Sequence, residues 1–124
     1  MKDIYEFRFS SKDKEVGELA NEIERRYPGY VEAVNKIIRG DDGLPKTEFD
    51  IETKNAVIEV KSGGGKGLAG DLLKKQRHTD KPVIGYGPNL KPSVIAQAEK
   101  DGHLVTTDRE LLLEVIRPDP PPDK

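Results

Sequence analysis

Apolar and charged residues alternate most regularly between residues 47 and 61. The apolar positions of this segment are Phe49, Ile51, Ile58 and Val60. Alternation with a period of two is typical of a half-buried β-strand, and a polar break at Lys54-Asn55 divides the segment into two strands. A two-residue turn at this break predicts an antiparallel hairpin in which Ile51 faces Ile58, and therefore Asp50 faces Glu59.

Two helices are predicted before this hairpin. From Asp13, apolar residues recur at three- and four-residue spacing until Pro28-Gly29 interrupts the pattern. Residues 30–39 carry apolar positions at similar intervals and end at Gly40, so we expect a second short helix there. The turn-forming residues 41–45 then lead into the hairpin.

The chain after the hairpin alternates between predicted helices and strands. In order, these are a helix over 68–78, a buried strand over 82–86, a helix from Pro92 to near Gly102, a strand over 103–106, and a helix that opens with the capping box Thr107-x-x-Glu110 and runs through Ile116. This order predicts an α/β domain whose central mixed β-sheet carries the antiparallel hairpin and is flanked by helices. We assign residues 1–117 to this single domain and expect the Pro-rich residues 118–124 to be disordered. The first nine residues fit either a short strand or a leader.

The composition narrows the classes of protein to which the chain can belong. With 124 residues, of which 34% are hydrophobic and 35% charged, it is long enough for one modest core under a highly charged surface. It contains no cysteine, which excludes disulfides and zinc–thiolate sites. We expect no membrane segment, because no apolar run approaches the roughly 20 residues of a spanning helix, and no signal peptide is visible. The formal net charge of −2 means that a nucleic acid would have to be attracted by a local basic patch.

The predicted hairpin brings ionisable side chains to one face of the sheet. Residues that face each other across a strand pair lie about 4.5–5.5 Å apart at Cβ, so Asp50 and Glu59 would repel each other unless a cation lay between them. Lys61, two residues after Glu59, points to the same face. The pattern indicates a divalent-metal site with an ammonium group beside it. The alternative is an ordinary hairpin whose charged face lies in water.

A glycine-rich loop and a basic helix follow the hairpin. The polar residues that we assign to nucleic-acid binding in this region are Lys66, Lys74, Lys75, Gln76 and Arg77. Cations near the C-terminal end of a helix are also favoured by the helix dipole, which is the alternative explanation of the cluster. The loop itself, residues 62–67, is either a flexible connector or a loop that binds phosphate.

The spacing between Asp50 and the triplet Glu59-Val60-Lys61 resembles the core of the PD-(D/E)XK nuclease superfamily, in which Asp, Glu and Lys lie on adjacent strands. The proline that gives the motif its name is replaced by Phe49. The wider run, residues 48–89, is similar to the restriction-endonuclease-like toxin domains at the C-termini of bacterial contact-dependent and polymorphic toxins. The resemblance extends over residues 15–116.

This resemblance implies a restriction-endonuclease-like fold and a metal-dependent endonuclease. It assigns catalytic roles to Asp50, Glu59, Lys61 and an acid of the first helix, Glu24 with Glu22 as its alternate. Asp50 and Glu59 would hold Mg²⁺ or Mn²⁺, and Lys61 would stabilise charge on the phosphorane or orient the attacking water. Gln76 resembles a polar residue that some family members place near the site.

The biological setting is also implied by the resemblance. The substrate would be RNA, tRNA in particular, or DNA, and a cognate immunity protein would be a partner. The chain would then be a secreted or cell-surface-delivered effector that acts in the cytoplasm of a target cell. Two alternatives stay open: a standalone cytoplasmic nuclease of DNA repair or recombination, and a non-catalytic module that binds nucleic acid or protein on a degenerate nuclease fold.

Overall fold

The computed structural model describes residues 9, 11 and 13–118. The predictions of a strand or leader over the first nine residues and of a disordered tail over 118–124 fall almost wholly outside this part of the chain. Within it, the four helices are α1 (Lys14–Arg26), α2 (Leu68–Gln76), α3 (Pro92–Lys100) and α4 (Arg109–Val115). The five strands are β1 (Val31–Arg39), β2 (Pro45–Thr53), β3 (Val57–Val60), β4 (Val83–Tyr86) and β5 (Val105–Thr106). No helix in these ranges is long and apolar enough to cross a membrane.

The strands form one mixed sheet in the order β1-β2-β3-β4-β5. The first three strands are antiparallel neighbours, whereas β4 runs parallel to β3 and β5 runs parallel to β4. The predicted α/β class with a central mixed sheet is confirmed. The predicted hairpin register is confirmed beside the turn, because Ile51 pairs with Ile58 and the N–H of Thr53 donates to the carbonyl of Ala56 at 2.8 Å. The paired residues end at Ile51 and Ile58 and do not include the expected pair of Asp50 and Glu59.

The prediction of a helix over residues 30–39 is wrong. These residues form β1, which pairs with β2 along its whole length. The register shifts between Val31 and Ala33, and Asn35 adopts a left-handed φ of 53°. Because these irregularities break the period of two, the apolar residues recur at helix-like intervals. The segment is rich in β-branched residues, and its pairing with β2 outweighs a helical pattern that is only local.

Helix starts and stops follow local chemistry. The side chain of Asp13 accepts a hydrogen bond from the N–H of Glu15 and so caps α1, as the pattern beginning at Asp13 predicts. At α4 the cap is Asp108, which accepts from the N–H groups of Glu110 and Leu111. The predicted capping box is therefore off by one residue, since an Asp carboxylate at the next position takes the role expected of Thr107.

The sheet separates two apolar clusters. One cluster lies between the sheet and helices α1 and α4, and its strand residues include Ile51, Ile58, Val60, Ile84 and Tyr86. The other lies between the sheet and helices α2 and α3, and its strand residues are Phe49, Val57, Val83 and Val105. Alternate side chains of β3 therefore enter different clusters. Ile58 and Val60 point towards α1 and α4, whereas Val57 and, two residues later, Glu59 point towards α2.

Candidate active site

Glu59 lies on the face of β3 that is covered by α2. Its neighbours in sequence, Ile58 and Val60, enter the opposite cluster, and its own side chain is 8% exposed. Lys61 follows on the same face, where its Nζ lies 3.7 Å from Oε2 of Glu59. The Glu-x-Lys spacing thus brings a buried carboxylate and an ammonium together, as the strand period predicts.

Asp50 reaches this pair through an irregularity in β2. Residues two apart in a regular strand share a face, yet Ile51 packs towards α1 and Phe49 towards α2. The register puts Asn35, with its left-handed backbone, opposite Asp50. Irregular pairing of this kind re-aims side chains, and here Oδ2 of Asp50 accepts a hydrogen bond from the N–H of Val60 at 2.9 Å.

The carboxyl group of Glu59 holds a proton more readily than an ordinary glutamate. Burial raises the pKa of Glu59 to about 8, and the charge of Asp50 and the hydrogen bond that protonated Glu59 donates to it add to this rise. The nearby ammonium groups of Lys75 and Lys61 lower the pKa of Glu59 without cancelling the effect. A cation held by both carboxylates would replace this proton.

Lys61 is held as a charged ammonium group. Burial lowers its pKa, but the hydrogen bond to Asp71 and the charges of Asp71, Glu59 and Asp50 outweigh burial, so that the pKa is raised overall. The Nζ of Lys61 lies 2.9 Å from Oδ2 of Asp71. A lysine in this state can stabilise negative charge but is a poor base.

Helix α2 supplies two side chains to the site. Asp71 and Lys75 are four residues apart and so lie on one side of the helix. Lys75 is buried, with its Nζ 3.5 Å from Oε1 of Glu59 and 3.1 Å from the hydroxyl of Thr47. The contact with Glu59 is an electrostatic attraction at 3.5 Å and not a hydrogen bond, since Oε1 has no hydrogen-bond partner.

These contacts change the role expected of Lys75 and add residues that sequence reasoning missed. Lys75 was assigned to nucleic-acid binding, but it lies inside the carboxylate cluster. Asp71 and Thr47 were not assigned at all. A signal for Asp71 and Lys75 was present in their helical spacing with Leu68 and Leu72, which face the sheet. No comparable signal identifies Thr47.

The donor set fits a hard divalent cation. Asp50 and Glu59 offer carboxylate oxygens, which Mg²⁺ and Mn²⁺ prefer. One of them, Oε1 of Glu59, is buried without a hydrogen-bond partner. Within residues 13–118 no group of three or more His, Cys, Asp or Glu side chains could hold a metal. Two protein carboxylates completed by water and substrate oxygens are the usual arrangement for Mg²⁺.

The glutamates proposed from the first helix have other contacts. Glu24 is buried, and its Oε2 accepts a hydrogen bond from the N–H of Gly29 at 2.8 Å. Glu22 accepts from Arg109 at 3.0 Å. The first contact holds the turn after α1, and the second joins α1 to α4. Helix α1 packs on the sheet face opposite Glu59. A catalytic role for either glutamate stays a prediction.

The remaining residues of the predicted basic patch lie outside the carboxylate cluster. The amide of Gln76 donates to the carbonyls of Thr79 and Lys81 and accepts from the N–H of Val83, so it fastens the loop before β4. The exposed cations of the patch are Lys66, Lys74 and Arg77. Ion-pair partners for these three are absent from the described part of the chain.

Comparison of the chain with protein-family models, with curated proteins and with solved structures found no match.

Proposed function

We propose that the chain is a metal-dependent nuclease with a restriction-endonuclease-like fold. The observation that carries the proposal is the buried carboxyl group of Glu59, which lies beside Asp50 and is flanked by the ammonium group of Lys61. A buried carboxyl group beside a second, half-buried acid is costly for a domain of this size, and strongly perturbed pKa values cluster at functional sites. The resemblance of the Asp50, Glu59 and Lys61 spacing to the superfamily core supports the same assignment.

Each residue has a separable role in this reaction. Asp50 and Glu59 would hold Mg²⁺ or Mn²⁺, which when bound supplies Lewis-acid polarisation of the phosphate and lowers the pKa of water. Lys61, kept charged by Asp71, stabilises the negative charge that develops on the pentavalent phosphorus. Since its pKa is raised, Lys61 acts as a charge stabiliser or orients the attacking water and does not accept its proton.

The substrate is proposed to be a nucleic acid, RNA (tRNA in particular) or DNA. Phosphodiester chemistry is the same for both, and the exposed cations Lys66, Lys74 and Arg77 offer contacts for the backbone. From the resemblance we further propose a bacterial toxin domain, delivered into the cytoplasm of a target cell and neutralised by an immunity protein. That inhibitor would present an acidic surface to these cations and associate in a salt-sensitive manner.

Cleavage of labelled tRNA and of plasmid DNA tests the proposal. Purified protein should cut at least one of them with Mg²⁺ or Mn²⁺ and neither with EDTA. Asp50→Ala and Lys61→Ala should reduce the rate by at least about a hundredfold, the scale of losing one electrostatic stabiliser. Glu48→Ala, on the same strand as Asp50 but exposed, is the matched control and should keep full activity.

Two results would reject the proposal. One is metal-independent binding of nucleic acid without cleavage, which would assign the fold to a binding module. The other is full activity of Asp50→Ala. Growth of bacteria that express wild type or Lys61→Ala at matched levels separately tests the toxin setting, because only wild type should arrest growth.

A further inference from the structure

Two loops run side by side beyond the C-terminal ends of β3 and β4. The first is residues 62–67, which follow Lys61, and the second is residues 87–91. The side-chain amide of Asn89 donates to the carbonyl of Ser62 at 3.1 Å, and the N–H of Lys91 donates to the carbonyl of Gly64 at 3.1 Å. The glycine-rich loop is therefore tied to its neighbour at two points.

Glycines allow this close approach. Gly65 has φ +89°, and a Cβ there would lie 2.5 Å from Cδ2 of Leu90, so any other residue would be strained and would displace Leu90. A Cβ at Gly64 would lie 3.2 Å from Cε of Lys91. The glycine therefore lets the stem of Lys91 cross over the loop, and the side chain of Lys91 is directed by packing.

A concavity of about 350 Å³ lies at this junction and is lined by Gly64, Lys66, Lys91 and Val94. The lining has two cations and no carboxylate. Over residues 13–118, neither lysine has an ion-pair partner, whereas Lys61, Lys75 and Lys81 are each paired with acids. Because both cations line one concavity, an anion bound there would be attracted by both.

The helix dipole does not account for these lysines. Lys66 precedes the first residues of α2, and Lys91 is the N-cap of α3. Cations are favoured near the C-terminal end of a helix and disfavoured near the N-terminal end, where these two lie. Lys74, by contrast, lies in the last turn of α2, where the dipole is a sufficient explanation.

We propose that Lys66 and Lys91 form a phosphate subsite that holds the nucleic-acid backbone beside the Glu59–Lys61 centre. The identity of the ligand rests on the proposed function. Gly64 is three residues from Lys61, a span of at most about 11 Å, so the subsite would hold a phosphate close to the one that is cleaved. Backbone contacts of this kind position the strand without reading its sequence.

Binding in EDTA tests the subsite without requiring cleavage. The probes are a fluorescein-labelled 20-nucleotide RNA and the matching single-stranded DNA, measured by anisotropy from 50 to 300 mM salt. The variant is Lys66→Met/Lys91→Met, which keeps the apolar stems. The matched control is Lys54→Met/Lys100→Met, which removes the same charge from two exposed lysines elsewhere.

The subsite predicts roughly tenfold weaker binding for the first pair, and a slope of log K against log salt reduced by about 1.4, or 0.7 for each single-strand phosphate contact. Lys66→Arg/Lys91→Arg should bind like wild type. The inference is overturned if the control pair loses as much affinity as the Lys66→Met/Lys91→Met variant, if that variant loses none, or if wild type does not bind the probes. It is also overturned if polyglutamate competes with the probes as well as unlabelled nucleic acid does, which would assign the concavity to acidic proteins.

The proposed function fails separately. If wild type binds through this subsite but no metal supports cleavage, the nuclease is rejected and the subsite stands. If wild type cleaves while the double variant binds normally, the subsite is rejected and the nuclease stands.

Discussion

The free energy of unfolding should depend on pH through Glu59, and Glu59→Gln isolates this dependence. Below pH 4.5 the carboxyl group is protonated in both the folded and the unfolded chain. As the pH rises, the unfolded chain releases its proton first, because the folded pKa is raised to about 8. The stability that depends on protonated Glu59 is therefore complete below pH 4.5, declines above it and is lost above about pH 8.

The size of the effect follows from the pKa. A pKa raised from 4.5 to about 8 corresponds to about 5 kcal/mol, at 1.36 kcal/mol for each tenfold change in proton affinity. Glutamine has nearly the same shape and cannot ionise. We therefore expect Glu59→Gln to be more stable than wild type by about 2–5 kcal/mol at pH 9 and to differ from it by less than about 1 kcal/mol at pH 4.5.

Urea unfolding followed by circular dichroism at pH values from 4.5 to 9 measures this difference. Glu48→Gln, at an exposed position of the neighbouring strand, is the control for the loss of one charge. If the difference between wild type and Glu59→Gln is constant across this range, the pKa of Glu59 is not raised as described. Saturating Mn²⁺ at pH 7.5 should stabilise wild type but not Glu59→Gln, because binding displaces the proton of Glu59.

Three further changes test the surroundings of the carboxyl pair. Lys75→Met removes an ammonium group that lowers the pKa of Glu59, so the pH profile of cleavage should move to higher pH. The control is Lys74→Met, one residue earlier and exposed, which should leave the profile unchanged. Asp71→Asn weakens the 2.9 Å contact with Lys61 and should lower kcat about tenfold with little change in KM. Recovery of kcat in Asp71→Glu would support the view that Asp71 positions Lys61, and an unchanged kcat in Asp71→Asn would exclude it. Gly65→Ala should destabilise the fold by about 2 kcal/mol or more in urea unfolding, since it combines a left-handed φ with a clash against Leu90. In the control Gly63→Ala the new Cβ meets open space, so the free energy of unfolding should stay within about 0.5 kcal/mol of wild type.

The hairpin could be predicted from the sequence because its signals are local and agree. Its strands have a period of two, its break is polar, and a two-residue turn at the break fixes the register in which Ile51 pairs with Ile58. The segment that became β1 lacks this agreement, because the register shift near Val31 and the left-handed Asn35 disturb its period. Pairing with β2 is a contact between distant residues that no short window of sequence contains.

The candidate site was predicted only in part. The proximity of Glu59 and Lys61 follows from strand geometry, whereas Asp50 reaches them through an irregularity in β2 that the sequence pattern does not show. The depth of Glu59 does not, because it depends on α2 covering that face of the sheet. The role of Lys75 also depends on this packing, since the same residue on an uncovered helix would be a solvated cation.

The glycine-rich loop shows a different limit. Its composition fits a flexible connector and a phosphate-binding loop equally well. The structure adds a third reason for the glycines, which is the close approach of Leu90 and Lys91. Because these partners lie some 25 residues further along the chain, the constraint is invisible in the loop itself.

The charges around Glu59 argue for function over stability. Replacing a buried ion pair by apolar residues of similar volume is often neutral or stabilising, so a domain that needed only to fold would gain by losing Glu59 and Lys75 together. The irregularity at Asp50 adds a further cost, since Asn35 adopts a left-handed backbone opposite it. Both costs fall at one place, where carboxylates and ammonium groups converge. If Glu59→Gln gains stability at high pH and loses cleavage, the cluster lowers stability and is required for activity. If Glu59→Gln gains stability and keeps full cleavage, the cluster is not the active site.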